Sequence, residues 1–333
     1  MHKVSVVIVS PALADANNGN WQTARRWQQM LAPDHRTRIV RAWPDAQASD
    51  RDAVLIALHA RRSAGSVAAW AAARPGRGLV VVLTGTDLYR DIQSDALAQQ
   101  SLALAQRLVV LQEQGPNELP ASLRGKVRVI FQSSPARQSL PKTGQHLRAV
   151  MVGHLREEKS PRTLMEVASL LRGDAGILID HIGAALDPLL EQAAMATAAR
   201  CPNYRWLGGL PHEAVRRRIQ RAHVLVHTSR MEGGAHVIME AVTSGTPVLA
   251  SRVAGNVGML GEDYAGYFPH GDATALADLL RRCATRADGA GAGTPSAYLR
   301  QLTAQCTRRA ALFDPACEQR SLHQLIQDIL DRP

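Results

Sequence analysis

Short β-branched runs alternate with longer Ala-, Arg- and Leu-rich segments along the whole chain. That alternation predicts parallel sheets covered by helices. In the first half, buried strands are expected at 4–9, 53–58, 79–83, 107–111 and 127–131, with helical stretches such as 21–31 and 94–105 between them. The stretch 133–145 (SSPARQSLPKTGQ) is polar, holds two prolines and lacks periodicity, so it reads as a linker. A second series follows. Its strands are expected at 147–152, 177–182, 204–207, 224–226 and 247–250, and its helices near 161–171, 187–200, 212–221 and 236–244. Pro161 and Pro188 both suit the first turn of a helix. The Gly/Ala-rich stretch 285–296 reads as a loop, and 315–330 as a final helix. Two Rossmann-like halves of this kind place the ligand site in the cleft between them.

Composition narrows the class. A chain of 333 residues suggests two domains, and 46% hydrophobic with 20% charged residues excludes a disordered or fibrous chain. Lys and Arg exceed Asp and Glu by 39 to 29, and the resulting +10 favours anionic partners. Cys201, Cys283, Cys306 and Cys317 form no CxxC pair, so neither a zinc site nor a disulfide framework fits; reduced thiols in a cytosolic protein are the simpler reading. The start MHKVSVVIVSPALADA has the charged head and apolar stretch of a signal peptide. Val4–Val9 is β-branched, however, and Pro-Ala-Leu follows at once, which favours a buried strand. No apolar run approaches the ~18 residues of a membrane span. A nucleic-acid-binding protein has only the charge in its favour, since three Phe and five Tyr leave few stacking aromatics. A dehydrogenase is opposed by a first turn without GxGxxG.

Two stretches carry the chemistry. In HTSRMEGGAHVIMEAVTSGTPVLASRVAGNVG (227–258) a strand ends, a polar turn with Gly233 and Gly234 follows, and a helix opens. Successive amides at such a turn suit an anion. Glu232 and Glu240, eight residues apart in an apolar helical context, are expected to hold hydroxyl groups. In VGHLREEKSPRTLMEVA (152–168) a strand runs into a glycine and a basic loop, where His154, Arg156 and Lys159 suit a diphosphate. A sugar nucleotide supplies both hydroxyls and phosphates.

These stretches resemble the C-terminal half of the nucleotide-sugar glycosyltransferases of GT-B architecture, which carry G-R-x-x-x-x-K in the first loop and E-x7-E in the second. The resemblance implies an α/β fold of two Rossmann-like domains with parallel sheets facing across a cleft. Residues 1–140 would form the acceptor side and 146–312 the UDP-sugar domain, while 313–333 would cross back to the first domain as a helix. It also implies that Glu232 touches the donor sugar, Glu240 the ribose and Lys159 the diphosphate. His154 stands where the family has Arg, with Arg156 nearby to compensate.

The segments ANNGNW (16–21), LHARRS (58–63), LTGTDLYRD (83–91), VLQEQGP (110–116), YRWLGGLPH (204–212) and GNVGMLGEDYAGYFP (255–269) narrow the likeness. Over nearly the whole chain they resemble the selenosugar synthases of selenoneine biosynthesis. That resemblance implies transfer of N-acetylglucosamine or glucose from a UDP-sugar to selenophosphate, giving a 1-selenosugar, UDP and phosphate. It implies a functional link to selenophosphate synthase and to selenoneine synthase, which attaches the product to hercynine, and a cytoplasmic location without nucleic-acid or membrane partners. Substrate contacts would come from Asn18, Gly19, Asn20, His59, Thr84 and Gly85 in the first half. In the second half they would come from His154, Arg156, Lys159, Leu207, Gly208, Arg230, Gly233, Gly234, Ala235, His236 and Glu240. The alternative is a hexosyltransferase of the same architecture using a hydroxyl acceptor.

The residues add a check. GT-B relatives carry a His at the end of a first-domain strand, where this chain reads Thr84-Gly85-Thr86-Asp87. Selenophosphate is already anionic and needs cationic surroundings rather than a base, so Thr86, Asp87, Arg61 and Arg90 join Glu232 as catalytic candidates. Asp87 and Asp91 are four apart, not a DxD pair, so no metal or other cofactor is expected. The UDP charge then falls to Lys159, Arg156 and the amides after Glu232. Plainer readings stand beside these. Asn17-Asn18-Gly19 is a good turn sequence and Trp21 a core candidate. His59 is equally a core histidine and a ligand, and one of Arg61 and Arg62 is expected to face the site. Asp87 either caps the following helix or meets substrate. Arg90 has Asp87 and Asp91 as ion-pair partners. Arg216–Arg218 and Arg221 read as a solvated face, and His212 and His236 stay open.

Overall fold

The computed structural model describes residues 3–13, 19–174, 176–285 and 294–331. Its contacts divide the chain into two compact units, residues 1–133 with 315–333, and residues 134–314. Asn18 and most of the Gly/Ala-rich stretch at 285–296 fall outside the described residues.

The first unit holds a six-stranded parallel sheet in the order β2-β1-β3-β4-β5-β6. Its strands are β1 (Ser5–Val9), β2 (Arg36–Val40), β3 (Asp52–Leu58), β4 (Leu79–Leu83), β5 (Arg107–Val110) and β6 (Val127–Val129). Every residue of β1, β4 and β5 is buried. Helices on both faces remove any need for polar alternation, hence the continuous apolar runs. β2 (RTRIV) escaped the pattern because it is an edge strand, half-exposed and interleaved with arginine. Helices α1 (Gly19–Leu31), α2 (Ala64–Ala73), α3 (Ile92–Ser94), α4 (Ala96–Leu104) and α5 (Ala121–Arg124) belong to this unit. Trp27, not Trp21, enters the core: Trp27 and Leu31 pack with Val6, Ile8 and the last helix, whereas Trp21 is only half-buried.

The second unit repeats the plan with the order β12-β11-β10-β7-β8-β9, all parallel. Its strands are β7 (Leu147–Val152), β8 (Ile177–Ile182), β9 (Tyr204–Trp206), β10 (Val224–His227), β11 (Val248–Ser251) and β12 (Tyr267–Phe268). Around them lie α6 (Pro161–Leu170), α7 (Pro188–Arg200), α8 (His212–Arg221), α9 (His236–Val242), α10 (Ala254–Leu260), α11 (Ala273–Ala284) and α12 (Ala297–Ala310). β7 is central, with β8 on one side and β10 on the other, so the chain reverses direction of travel across the sheet there. Ligands of doubly wound sheets bind at that point, beyond the carboxyl ends of the strands.

The polar stretch after Ser133 has no helix or strand, but it is pinned rather than loose. The Arg137 amide donates to the Thr243 carbonyl, the Leu140 amide to Gln220, and the Gln220 side chain to the Gln138 carbonyl. All four cysteines are free thiols. Among the described residues no helix is long and apolar enough to cross a membrane.

The last helix, α13 (Pro315–Leu330), belongs to the first unit. Glu318 fastens it there. Its carboxylate accepts from Arg26 Nε at 2.9 Å, Trp27 Nε1 at 2.6 Å and the Ser133 amide at 2.8 Å. With that carboxylate fully buried, removing it strands a guanidinium, an indole N–H and an amide together. Glu318→Ala is expected to destabilise the first unit by about 3 kcal/mol, read as a lower denaturant midpoint. An unchanged midpoint would contradict this fastening role.

Candidate functional site

The loops after β7 and β10 meet at the reversal point of the second sheet. The Thr228 hydroxyl donates to the Lys159 carbonyl at 2.6 Å and the Arg230 amide to the Glu158 carbonyl at 3.1 Å, stitching them together. The result brings Lys159 Nζ to 2.5 Å from Glu232 Oε1, with both side chains largely buried. His227 Nε2, at the end of β10, lies 3.2 Å from the same oxygen. Burial pushes the Glu232 carboxyl up, but the Lys159 ammonium and His227 outweigh it and hold the group well below the usual carboxylate range. Burial also lowers His227, against the pull of Glu232. The α10 backbone closes on Glu232 from the other side: a Cβ at Gly255 would stand 1.9 Å from the Glu232 carbonyl oxygen, so only glycine fits.

Among the described residues, nothing accepts from the Gly233 or Gly234 amides. The Ala235 amide faces Met259 Sδ at 3.1 Å. His236 is the first residue of α9 and half-buried. Arg156 and Arg230 are exposed and make no ion pair among the described residues. His154 Nδ1 accepts from the Ala184 amide at 3.1 Å, and burial, then Arg156 and Lys159, lower its pKa. Leu207 and Gly208 continue from β9, the Gly208 carbonyl accepting from the Gly183 amide at 2.8 Å. Lys159, Arg156 and His154 on the loop after β7, and two available amides on the loop after β10, thus lie beyond the carboxyl ends of neighbouring interior strands, a set suited to a diphosphate.

Glu240, one helix further on, has its own partners. Oε1 lies 2.6 Å from His212 Nε2 and 3.6 Å from Arg216 Nη1. Here the sequence reading needs correction. Arg216 is not on a solvated face; it is 2% exposed and donates to Ser134 Oγ at 2.6 Å and to the Pro135 carbonyl at 3.0 Å. On α8 it shares the inward face with Val215, Ile219 and Gln220, while Arg217 and Arg221 point outward. The helical period separates Arg216 from the adjacent arginines.

In the first unit, the ends of β3 and β4 form a second cluster. Asp87 is fully buried and accepts from the amides of Thr84 and Gly85 at 2.9 Å and of Ala60 at 3.0 Å. Its carboxylate therefore ties two strand ends together. His59 is buried, in a left-handed conformation (φ 73°), with Nε2 at 3.3 Å from Thr86 Oγ1. Such strain in a β3 exit is a mark of a constrained site. Burial lowers its pKa, chiefly against Asp87. Asp91 Oδ2 is buried without a hydrogen bond and lies 3.5 Å from Arg61 Nε and 3.8 Å from His59 Nε2. Arg90 pairs with Asp91 at 3.2 Å and is otherwise solvated. Gly19 and Asn20 open α1, the Gly19 carbonyl accepting from Thr23 Oγ1 at 2.8 Å. The structure thus joins His59, Arg61, Thr84, Gly85, Thr86 and Asp87, and adds Asp91. It joins Lys159 with Glu232 and adds His227, and it joins Glu240 to His212 and Arg216. Strand-end position was the signal for His227; nothing in the sequence marked Arg216.

Residues 132–286 match the family model "Glycosyl transferases group 1". Sucrose-phosphate synthase from Thermosynechococcus elongatus superimposes with a TM-score of 0.75 at 18% identity, over 99% of this chain and 100% of that one. Anabaena HepE in complex with UDP-glucose gives 0.68 at 13%, over 97% and 99%. A glycosyltransferase from Rickettsia africae gives 0.73 at 12%, over the whole of both chains. The fold is GT-B.

Lys159→Met is expected to destabilise the second unit at pH 7 by about 3 kcal/mol, because it leaves Glu232 buried without its cation. Since the folded carboxyl is depressed, its stabilisation is present above roughly pH 4.3 and lost as pH falls toward the folded value. The gap between variant and parent should therefore narrow below about pH 4. Urea titrations at several pH values check this; a gap independent of pH would contradict it.

Proposed function

We propose that the chain, whose residues 132–286 match the group 1 glycosyl transferase model, transfers a hexose from a UDP-sugar to selenophosphate. The observation that carries the donor half is the Lys159–Glu232–His227 cluster beside the available Gly233 and Gly234 amides. One ammonium and two N–H groups suit the diphosphate, and the carboxylates of Glu232 and Glu240 suit sugar and ribose hydroxyls. Binding of UDP and UDP-glucose by HepE supports uridine as the nucleotide. The acceptor half rests on the likeness to selenosugar synthases carried by LHARRS, LTGTDLYRD and VLQEQGP.

In this reading the selenium lone pair attacks the anomeric carbon, and the bond from that carbon to the UDP oxygen breaks with its electrons going to UDP. Lys159, Arg156 and the loop amides stabilise the departing charge. Water then cleaves the selenium–phosphorus bond, leaving the 1-selenosugar and phosphate. Selenium is already anionic, so no proton has to be removed from it. Arg61, Arg90 and the Thr84 and Thr86 hydroxyls provide the surroundings for the acceptor. N-acetylglucosamine or glucose is the sugar, and no metal takes part.

One observation favours a second reading, a hydroxyl acceptor. The buried His59 imidazole has its pKa lowered and sits 3.3 Å from Thr86 Oγ1, a neutral base at a strand end. The two readings part in a product assay. Purified protein mixed with selenophosphate and either UDP-N-acetylglucosamine or UDP-glucose should release UDP and give a selenium-containing hexose by mass, with chelator present. UDP release with alcohols but not with selenophosphate would overturn the selenium reading. Arg61→Ala should raise the KM for selenophosphate by about tenfold, and Lys159→Met should lower kcat by about 100-fold. Full turnover of both variants at low substrate would contradict the assigned roles.

A further inference from the structure

We propose that His212 is a positioning residue for Glu240, anchoring one carboxylate oxygen so that the other is held ready for a ligand hydroxyl. The inference rests on the nucleotide-sugar reading above and adds to it a residue outside the two motifs. His212 opens α8 and Glu240 sits on α9, so the contact joins two helices through one oxygen. Glu240 Oε1 holds His212 Nε2 at 2.6 Å, with Arg216 Nη1 behind it at 3.6 Å. Among the described residues, nothing donates to Oε2. The division of labour is legible: Arg216 is committed to Ser134 and Pro135 and is fixed in place, while His212 is exposed on its far side and reaches inward to a carboxylate that is nearly buried.

The anchor is also titratable. The hydrogen bond to Glu240 raises the His212 pKa, opposed by burial and by Arg216 and helped by Glu213. A cation at a helix N-terminus is otherwise disfavoured, so Glu240 is what keeps the imidazolium there. The charged groups around the pair are Arg216 and Glu213 from α8 and Arg137 from the segment before β7, which pairs with Glu213. His236 lies one turn before Glu240 on α9. With a folded pKa above the ordinary 6.5, the charge-assisted part of the anchoring is complete below about pH 6.5 and is lost as pH rises through the folded value, leaving the weaker bond from a neutral imidazole N–H.

Calorimetry with UDP and with 2′,3′-dideoxyuridine diphosphate tests this, because their phosphates ionise alike and the ratio of the two Kd values isolates the ribose hydroxyls. The parent should prefer UDP by about tenfold at pH 6, and the preference should shrink toward pH 9. His212→Ala should reduce it to about twofold at every pH. His212→Gln, which keeps a donor without a charge, should hold the preference near the parent's pH 9 value, above that of His212→Ala, at every pH. A preference in His212→Ala equal to the parent's would overturn the role of His212 while leaving the donor site standing. A parent that binds no UDP would overturn the donor reading, and the role of His212 with it.

Discussion

A lysine and a glutamate from two different loops share one buried position at the reversal point of the second sheet, and much of the local architecture depends on that pairing. Taking both charges out of water is costly unless the geometry is good and further partners are present. The backbone supplies that geometry. Thr228 and Arg230 bond to the Lys159 loop, and Gly255 lets α10 approach the Glu232 carbonyl. Apolar residues of similar volume would pack at least as well. A stability role alone therefore does not account for the pair. In the proposed reading its value is chemical: an ammonium and a carboxylate held side by side would present opposite recognition properties to phosphates and hydroxyls.

Buried carboxylates recur through the molecule, and they differ in how much hydrogen-bonding capacity their neighbours leave them. Glu318 is saturated by Arg26, Trp27 and Ser133. Asp87 takes three backbone amides and holds two strand ends in register. Neither is left with an obvious capacity for substrate. Glu240 and Asp91, by contrast, each keep an oxygen without a hydrogen bond among the described residues. The strained backbone of His59 belongs with this second group, since it aims an imidazole at Thr86 rather than into the core.

Much of this was legible in the sequence where physics leaves a local mark. Buried parallel strands write β-branched runs, and ten of the twelve strands among the described residues stood out; β2 and β12 did not, one because edge exposure admits arginine, the other because it is two residues long. The loops carrying Lys159 and Glu232 were visible from glycine and charge placed after a strand. The contacts that give Arg216, His212 and Asp91 their settings were not, because they join elements distant in sequence. A run of arginines looks solvated until the helical phase is set by the core beneath it. Trp27 outranked Trp21 as core for the same reason: the α1 phase turns it, with Leu31, toward the sheet.

The most direct test is a crystal structure of the protein with UDP-N-acetylglucosamine or UDP-glucose bound. The proposed donor site requires diphosphate oxygens within hydrogen-bonding distance of Lys159 Nζ and of the Gly233 and Gly234 amides, with the ribose at Glu240. A nucleotide bound elsewhere, with the loops 153–160 and 228–235 untouched, would contradict it.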